Sequence, residues 1–332
     1  MVSFQRKLER SLAGRNIQVS YHLDDTPYQA VLVIGGTRQL LGLWRAKRQG
    51  IRIVQRLDGM NWLHRLRRTS ARHYVRSEIG NWLLSLIRSR LADRVVYQSQ
   101  FSRRWWERVH GSTKIDCTVI YNGVDLSVYT PLGPRNLPID RFRILLVEGS
   151  LMGGYEMGLE MAVNLVEGLD ARPKTAHSLS GLESSIELMV VGRVENDVKQ
   201  HWQRRSKIPI IWTGLVAQEQ IPDIDRSAHM LYSADINPAC PNSVIEALAC
   251  GLPVLAYDTG ALSELVTVSC GRIVPYGGDP WQLDQPDNLT LVEGAMQILE
   301  NQEMLSQNAR QRAEEAFSVD QMVQEYLRVL LD

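Results

Sequence analysis

The chain has 332 residues, 44% of them apolar and 22% charged, with 37 basic side chains balanced by 37 acidic ones. Its length accommodates two domains, and its composition is that of a globular protein, which excludes disordered, collagenous and disulfide-stapled classes. No apolar run is long enough to span a bilayer, residues 1–15 lack the apolar centre of a signal peptide, and the four cysteines (Cys117, Cys240, Cys250, Cys270) have no metal-ligand spacing.

The zero balance hides a division. Residues 1–140 carry 23 Lys and Arg against 10 Asp and Glu, a net +13, and residues 141–332 carry the compensating −13. A basic half suits an anionic membrane surface, an anionic acceptor, nucleic acid or the acidic half itself. No nucleic-acid-binding motif accompanies the charge, so nucleic acid is not an expected partner. The cysteines are expected as reduced thiols of a cytoplasmic protein.

In chain order, residues 2–12 have helical periodicity with Phe4, Leu8 and Leu12 on one face, and residues 17–21 alternate like a short strand. Residues 30–34 read as a buried strand ending in Gly35-Gly36-Thr37, with a helix following to about residue 48. Residues 51–55 are the next strand, ending at Arg56-Leu57-Asp58-Gly59. Loops at the carboxyl ends of parallel strands hold ligands in doubly wound sheets, which makes Gly35, Gly36, Thr37 and Asp58 candidates. A tight turn at the glycines and a turn or cap at Asp58 are the competing readings. Residues 74–91 form an amphipathic helix with Ile79, Trp82, Leu83, Leu86 and Ile87 on one side, set among many arginines. Such a helix packs on its own sheet or meets a membrane surface through its Arg and Trp side chains. Strands follow at 94–98 and 117–121, the second closed by the turn Asn122-Gly123-Val124-Asp125, and a proline-rich linker leads onward.

The second half opens with a strand at 144–148 and a Gly-rich turn, Gly149 to Glu156, whose N–H groups can cradle phosphate. A helix at 159–169 follows, then a strand at 186–191 ending in Gly192-Arg193, where Arg193 is either a phosphate-neutralising cation or a surface arginine. A strand at 208–212 runs into Thr213-Gly214-Leu215-Val216, and a short helix spans 218–227. Residues 230–266 organise the rest. An apolar run passes through a loop with Pro238 and Pro241, and a helix opens at Asn242 or Ser243, with Ser243 and Glu246 spaced as a capping box. Gly251 and Pro253 stop it after barely two turns. The N–H groups of Asn242, Ser243 and Val244 would favour an anion, and Glu246 is placed to reach sugar hydroxyls. A strand at 253–257, a helix at 261–266, a strand at 271–275 and three helices at 289–301, 304–317 and 319–331 complete the chain.

The run Glu246-Ala247-x-Ala249-x-Gly251-x-Pro253-Val254 resembles the donor-site segment of the retaining glycosyltransferases of family 4, the group 1 transferases, and Asn122-Gly123-Val124-Asp125 resembles their interdomain marker. The resemblance implies an α/β chain of GT-B type, with two Rossmann-like domains facing a central cleft and a last helix crossing back to the first domain. It implies an acceptor-side domain over 1–135, a nucleotide-sugar domain over 139–316 and the returning helix over 317–332. Relatives begin with a strand and a Gly-rich loop before the first helix, so the first domain is expected to lack its opening strand. Donor contacts are then expected from Gly149, Arg193, Gly214, Leu215, Asn242, Ser243, Val244 and Glu246, and acceptor-side contacts from Gly35, Gly36 and Thr37. Asp58 is the nearest polar candidate for a catalytic role. The resemblance implies no cofactor and no metal. The expected partners are a nucleotide sugar, a glycan or lipid-linked acceptor, and the inner face of a membrane touched through the basic half. The family's first Glu falls on Pro238, its Arg-x4-Lys on Ser150 and Tyr155, and the His many members carry after an early strand on Gly35-Gly36. These departures keep a second reading open, a GT-B-shaped protein that binds a ligand or partner with weak or no transfer.

Overall fold

The computed structural model describes residues 2–66, 70–151, 156–172 and 185–332. They fall into two compact units, Met1–Gly123 with Phe317–Asp332, and Val124–Ala316. The first unit opens with α1 (Val2–Ala13), β1 (Ala30–Ile34), α2 (Leu40–Arg48) and β2 (Arg52–Leu57). It continues through α3 (Leu63–Leu66), α4 (Ala71–Leu86) with a π-helical turn at Ile87–Leu91, β3 (Arg94–Tyr97), α5 (Gln100–His110) and β4 (Asp116–Val119). Its four strands are parallel and lie in chain order, β1-β2-β3-β4. The period of two sorts their side chains to opposite faces. Val33 and Ile53 pack with Leu43 of α2 and Ile87 of the π turn, while Val54 and Val96 pack with Phe4 and Leu8 of α1.

Two expectations in this unit are corrected. Residues 17–21 form no strand: the alternation is present, but they pair with no neighbouring strand, without which extended backbone groups stay with solvent. In α4 the expected inner face is only partly inward, with Ile87 buried and Leu83 and Leu86 half-buried. Ile79 and Trp82 are exposed, whereas Ser77 and Asn81 are buried. Asn81 fixes this orientation by bonding twice to the backbone of Asn61, at 2.8 and 3.1 Å.

The second unit contains β5 (Arg141–Ser150), α6 (Glu156–Asp170), β6 (Ser185–Arg193), α7 (Asn196–Arg205) and β7 (Ile210–Gly214). A 3-10 turn at Gln218–Gln220 leads to α8 (Ile221–Arg226), β8 (Met230–Ser233), α9 (Asn242–Ala249), β9 (Val254–Tyr257), α10 (Leu262–Leu265), β10 (Gly271–Val274), α11 (Asn288–Glu300) and α12 (Gln302–Ala316). The six parallel strands run β10-β9-β8-β5-β6-β7, a doubly wound order that reverses between β5 and β8. Strand β6 is buried on both faces over seven consecutive residues, which is why it reads as an apolar run broken only by Glu187, whose carboxylate accepts from Arg143 at 2.7 Å. Leu159, Val163 and Val166 of α6 and Leu291, Ala295 and Ile298 of α11 close one side of the core. Residues 124–138 belong with this unit. Three arginines hold them: Arg226 donates to Thr130 O and Pro134 O at 2.9 Å each, Arg310 donates to Tyr129 O at 2.7 Å, and Arg143 donates to Asn136 O at 3.0 Å.

Beyond α12 the chain returns to the first unit as α13 (Val319–Leu331). Met322, Val323, Tyr326 and Val329 pack on α1 and on the Val54, Val96 and Ile120 side of the first sheet.

Candidate active site

In an open α/β sheet the ligand crevice lies outside the carboxyl ends of the strands where their order reverses. In the second unit this is the end of β5, with Glu148, Gly149 and Ser150, and the loop 234–241 that carries β8 into α9. Gly149 is exposed, and a Cβ there would meet nothing within 4 Å. Ser150 pairs with Arg193, and the Leu151 N–H donates to Arg193 O at 2.9 Å, while the Arg193 side chain stays exposed. Gly214 ends β7 with φ 71°, a left-handed conformation suited to glycine, and Leu215 beyond it is exposed. Gly149, Arg193, Gly214 and Leu215 thus line the carboxyl edge of the sheet from which α9 also rises. Residues 152–155, with Gly153, Gly154 and Tyr155, lie outside the described residues.

The start of α9 differs from expectation by one decisive residue. Its N-cap is Pro241, at φ −70° and ψ 125°, with no side-chain cap. Asn242 and Ser243 are therefore the first two helical residues, and the expected capping box does not form. Proline already fixes the extended entry, so Ser243 lies past the position from which a hydroxyl can cap. The first N–H groups of the helix, those of Asn242, Ser243 and Val244, receive no cap from the entering residue and face the end where an anion is favoured. Glu246 then falls in the second turn, and it is buried.

Acids not singled out by their sequence context surround this region. Asp225 on α8 is 2% exposed; burial, then the charge of Glu246, raises its pKa well above the carboxylate range. Burial thus disfavours its charged form. Tyr129 is raised by burial and then by Glu246, and the Cys250 thiol by burial and then by Asp225, which places all four side chains in one buried cluster. At the crevice itself, burial and then Asp235 raise Glu148 well above its usual range, and burial pushes Asp235 up to about 6. Neutral carboxyls donate to an anionic oxygen that carboxylates would repel. Glu148 and Asp235 carried a faint signal, an acid at the end of an apolar run. Asp225 carried none.

In the first unit, Gly35 to Thr37 and Asp58 lie at the carboxyl ends of neighbouring β1 and β2. Gly35 has φ 74°, its N–H donates to Arg56 O at 2.8 Å, and its carbonyl accepts from the buried Gln55 amide at 2.8 Å. Gly36 is exposed, and Thr37 Oγ1 accepts from the Gln39 N–H at 3.1 Å. Asp58 is half-buried, with its backbone carbonyl accepting from Trp106 Nε1 at 2.7 Å. Among the described residues, no group of three or more His, Cys, Asp or Glu is placed to hold a metal ion.

Two family models match the chain, one on each unit: Glycosyltransferase Family 4 over residues 6–128, and Glycosyl transferases group 1 over residues 164–285. No curated protein matches it in sequence. Among solved structures, sucrose-phosphate synthase from Thermosynechococcus elongatus superposes with a TM-score of 0.67 at 16% identity, covering 91% of this chain and 73% of that one. A glycosyltransferase from Rickettsia africae gives 0.66 at 16% identity, covering 97% and 86%. HepE of Anabaena, solved in complex with UDP-glucose, gives 0.62 at 18% identity, covering 90% and 78%. At these identities the structures share the fold, two Rossmann-like domains of GT-B type.

Proposed function

Because the chain belongs to the group 1 glycosyltransferases, we propose that its nucleotide-sugar donor binds at the strand-order reversal of the second unit and that the sugar passes with retention to a glycan or lipid-linked acceptor. The observation that carries this reading is the uncapped start of α9 at that crevice, with Glu246 one turn further on. The N–H groups of Asn242, Ser243 and Val244 take the diphosphate, and the helix dipole adds about 0.3–1 kcal/mol for a charge held there. Glu246 accepts from the ribose hydroxyls, and Gly214 and Leu215 border the base. Arg193 supplies a cation, and Glu148, whose burial favours its neutral form, supplies a donor, where Ser150 stands in place of the family's arginine. Retaining transfer asks the protein for positioning and for stabilisation of the leaving diphosphate, which these groups provide without a cofactor or metal. Gly35, Gly36, Thr37 and Asp58 serve the acceptor side.

We place the protein in the cytoplasm, in contact with the inner face of a membrane through its basic first unit. The four cysteines are free thiols, and among the described residues no helix is long and apolar enough to cross a membrane.

Calorimetric titration with UDP, GDP and ADP and their sugars tests the donor site, with UDP first because HepE is solved with UDP-glucose. One of these should bind with EDTA present, and Glu246→Ala should weaken it about tenfold or more, the loss of charge-assisted hydrogen bonds. Asn242→Pro should weaken it as well, since proline at the first helical position deletes an N–H and leaves the helix intact. Absence of binding by every nucleotide, or binding indifferent to both substitutions, rules the reading out.

A further inference from the structure

Helix α4 turns part of its apolar face outward. Val75, Ile79 and Trp82 are 54%, 53% and 59% exposed, while Ser77, Asn81 and, in the π turn, Arg88 are buried on the opposite side. With half-buried Leu86, the exposed residues are spaced by four, three and four, a single stripe along the helix. The orientation is fixed by what lies beneath. Asn81 bonds both ways to the Asn61 backbone, Arg88 Nε donates to Tyr97 Oη at 2.7 Å, and Arg88 Nη2 donates to Gly111 O at 2.8 Å. Rotating the stripe inward would strand these buried polar groups without partners, a cost that opposes the gain from burying the stripe.

Neighbouring α2 presents a matching face. Leu41, Trp44, Arg45 and Arg48 are exposed, and Leu43 and Ala46 are buried opposite them. Both helices cover the same side of the first sheet, because Leu43 and Ile87 share one apolar cluster with Val33 and Ile53. Lys47 Nζ ties the end of α2 to the end of the π turn, donating to Leu91 O at 3.0 Å and to Asp93 Oδ1 at 2.7 Å. The result is an outward surface with two tryptophans, aliphatic side chains and exposed Arg45, Arg48, Arg72, Arg76 and Arg90. Glu78 is the one acid in the sequence of either helix, and it is bonded to Arg65 at 2.7 and 2.9 Å and to His64 at 2.7 Å.

Contiguous exposed apolar surface rimmed by polar residues marks an interaction site. A second copy of the chain would bring two arginine rims together in a self-complementary contact, which like charges oppose. An acidic protein would meet the arginines and leave the tryptophan and isoleucine without a matched partner. A bilayer interface takes both at once, aromatic and aliphatic groups below the headgroups and guanidiniums at the phosphates. We propose that the outward faces of α2 and α4 dock on an anionic phospholipid surface, with Trp44, Ile79 and Trp82 inserted and the arginines on the lipid phosphates. This assigns the membrane contact of the previous section to one surface and is independent of the donor site.

Sedimentation of the full chain with vesicles of phosphatidylcholine, with and without phosphatidylglycerol, tests it. Binding should require phosphatidylglycerol and fall with added salt. The double variant Ile79→Ser/Trp82→Ser should lower the partition coefficient about tenfold or more, and Arg72→Glu/Arg76→Glu should abolish the preference for anionic lipid. All altered side chains are exposed, so thermal midpoints and nucleotide binding should match the parent. Failure of the parent to sediment with phosphatidylglycerol at low salt overturns the proposal, as does equal sedimentation of the Ile79/Trp82 variant. So does a concentration-dependent dimer that this variant alone abolishes. Stripe-dependent vesicle binding by a chain that binds no nucleotide would leave this surface standing and remove the donor site instead.

Discussion

His229 sits at the amino end of β8 with its ring against Phe142, centroids 5.1 Å apart, and its Nδ1 accepting the Arg143 N–H at 3.0 Å. A protonated ring could not accept that bond. Burial, then the charges of Arg135 and Arg143, lower its pKa to about 4 from 6.5. Stability tied to this residue is therefore full above about pH 6.5 and is lost as the pH falls through about 4. Asp235 works in the opposite sense. Its carboxyl is raised by burial to about 6 from 3.8, so the stability it carries is full at acid pH and is lost as the pH rises through about 6. The two slopes oppose each other in the parent chain. His229→Gln keeps an acceptor for Arg143 without titrating and should remove the loss on acidification. Asp235→Asn should remove the loss between about pH 4 and neutrality, and each effect is at most about 3–3.5 kcal/mol. Urea unfolding at about pH 4.5 and about pH 7.5 separates them, and identical pH dependence in parent and variants would contradict both assignments.

The Asn122-Gly123 turn is more than a reversal of the chain. A Cβ on Gly123 would lie 2.6 Å from Val319 Cα and 3.1 Å from Met322 Cβ, atoms of α13 that cannot move aside as a flexible side-chain tip can. The same turn is pinned by Asn122 Oδ1, which accepts from Arg56 at 2.7 Å, and by Lys7 Nζ donating to Gly123 O at 3.1 Å. Gly123→Ala should destabilise the first unit by about 1–3 kcal/mol, the usual scale of overpacking, with the second unit unaffected. A lower urea midpoint for one of two transitions is the expected readout; an unchanged one would show that α13 has room to shift. The turn was legible from Asn-Gly itself, but its second function was not, because the contact comes from a helix about two hundred residues later. The same division holds elsewhere. Buried parallel strands such as Met230–Ser233 and Val254–Tyr257, and the helix at Val319–Leu331, were legible because burial enforces apolar runs or a 3.6-residue period. For α4 the period identified the helix but only part of its inner face, since bonds from Asn81 and Arg88 oppose burial of the apolar stripe. Asp223 and Asp225 are both acids of one short helix, yet only Asp225 is buried, a difference set by α9 and the 124–138 segment packed beside it.

The first unit is assembled from both ends of the sequence, and the second from one continuous segment, Val124–Ala316. That difference has energetic consequences. Met322, Val323, Tyr326 and Val329 of α13 are buried, and at about 1.5–3 kcal/mol for each large apolar side chain they supply roughly 6–12 kcal/mol of gross burial. A whole domain is stable by only about 5–15 kcal/mol, so the first unit should not survive without this helix. Residues 1–123 expressed alone would expose Val54, Val96, Ile120 and the inner face of α1, all of which α13 covers. Residues 124–316 keep the sheet reversal, α9 and the whole α6 and α11 core within one stretch of chain. We expect 124–316 to unfold cooperatively in urea by itself and to retain nucleotide binding, while 1–123 shows no cooperative transition. Adding a peptide of residues 317–332 to 1–123 should restore one. Cooperative unfolding of 1–123 without the peptide would mean that α1 and the sheet suffice, and that α13 adds stability to a unit already closed.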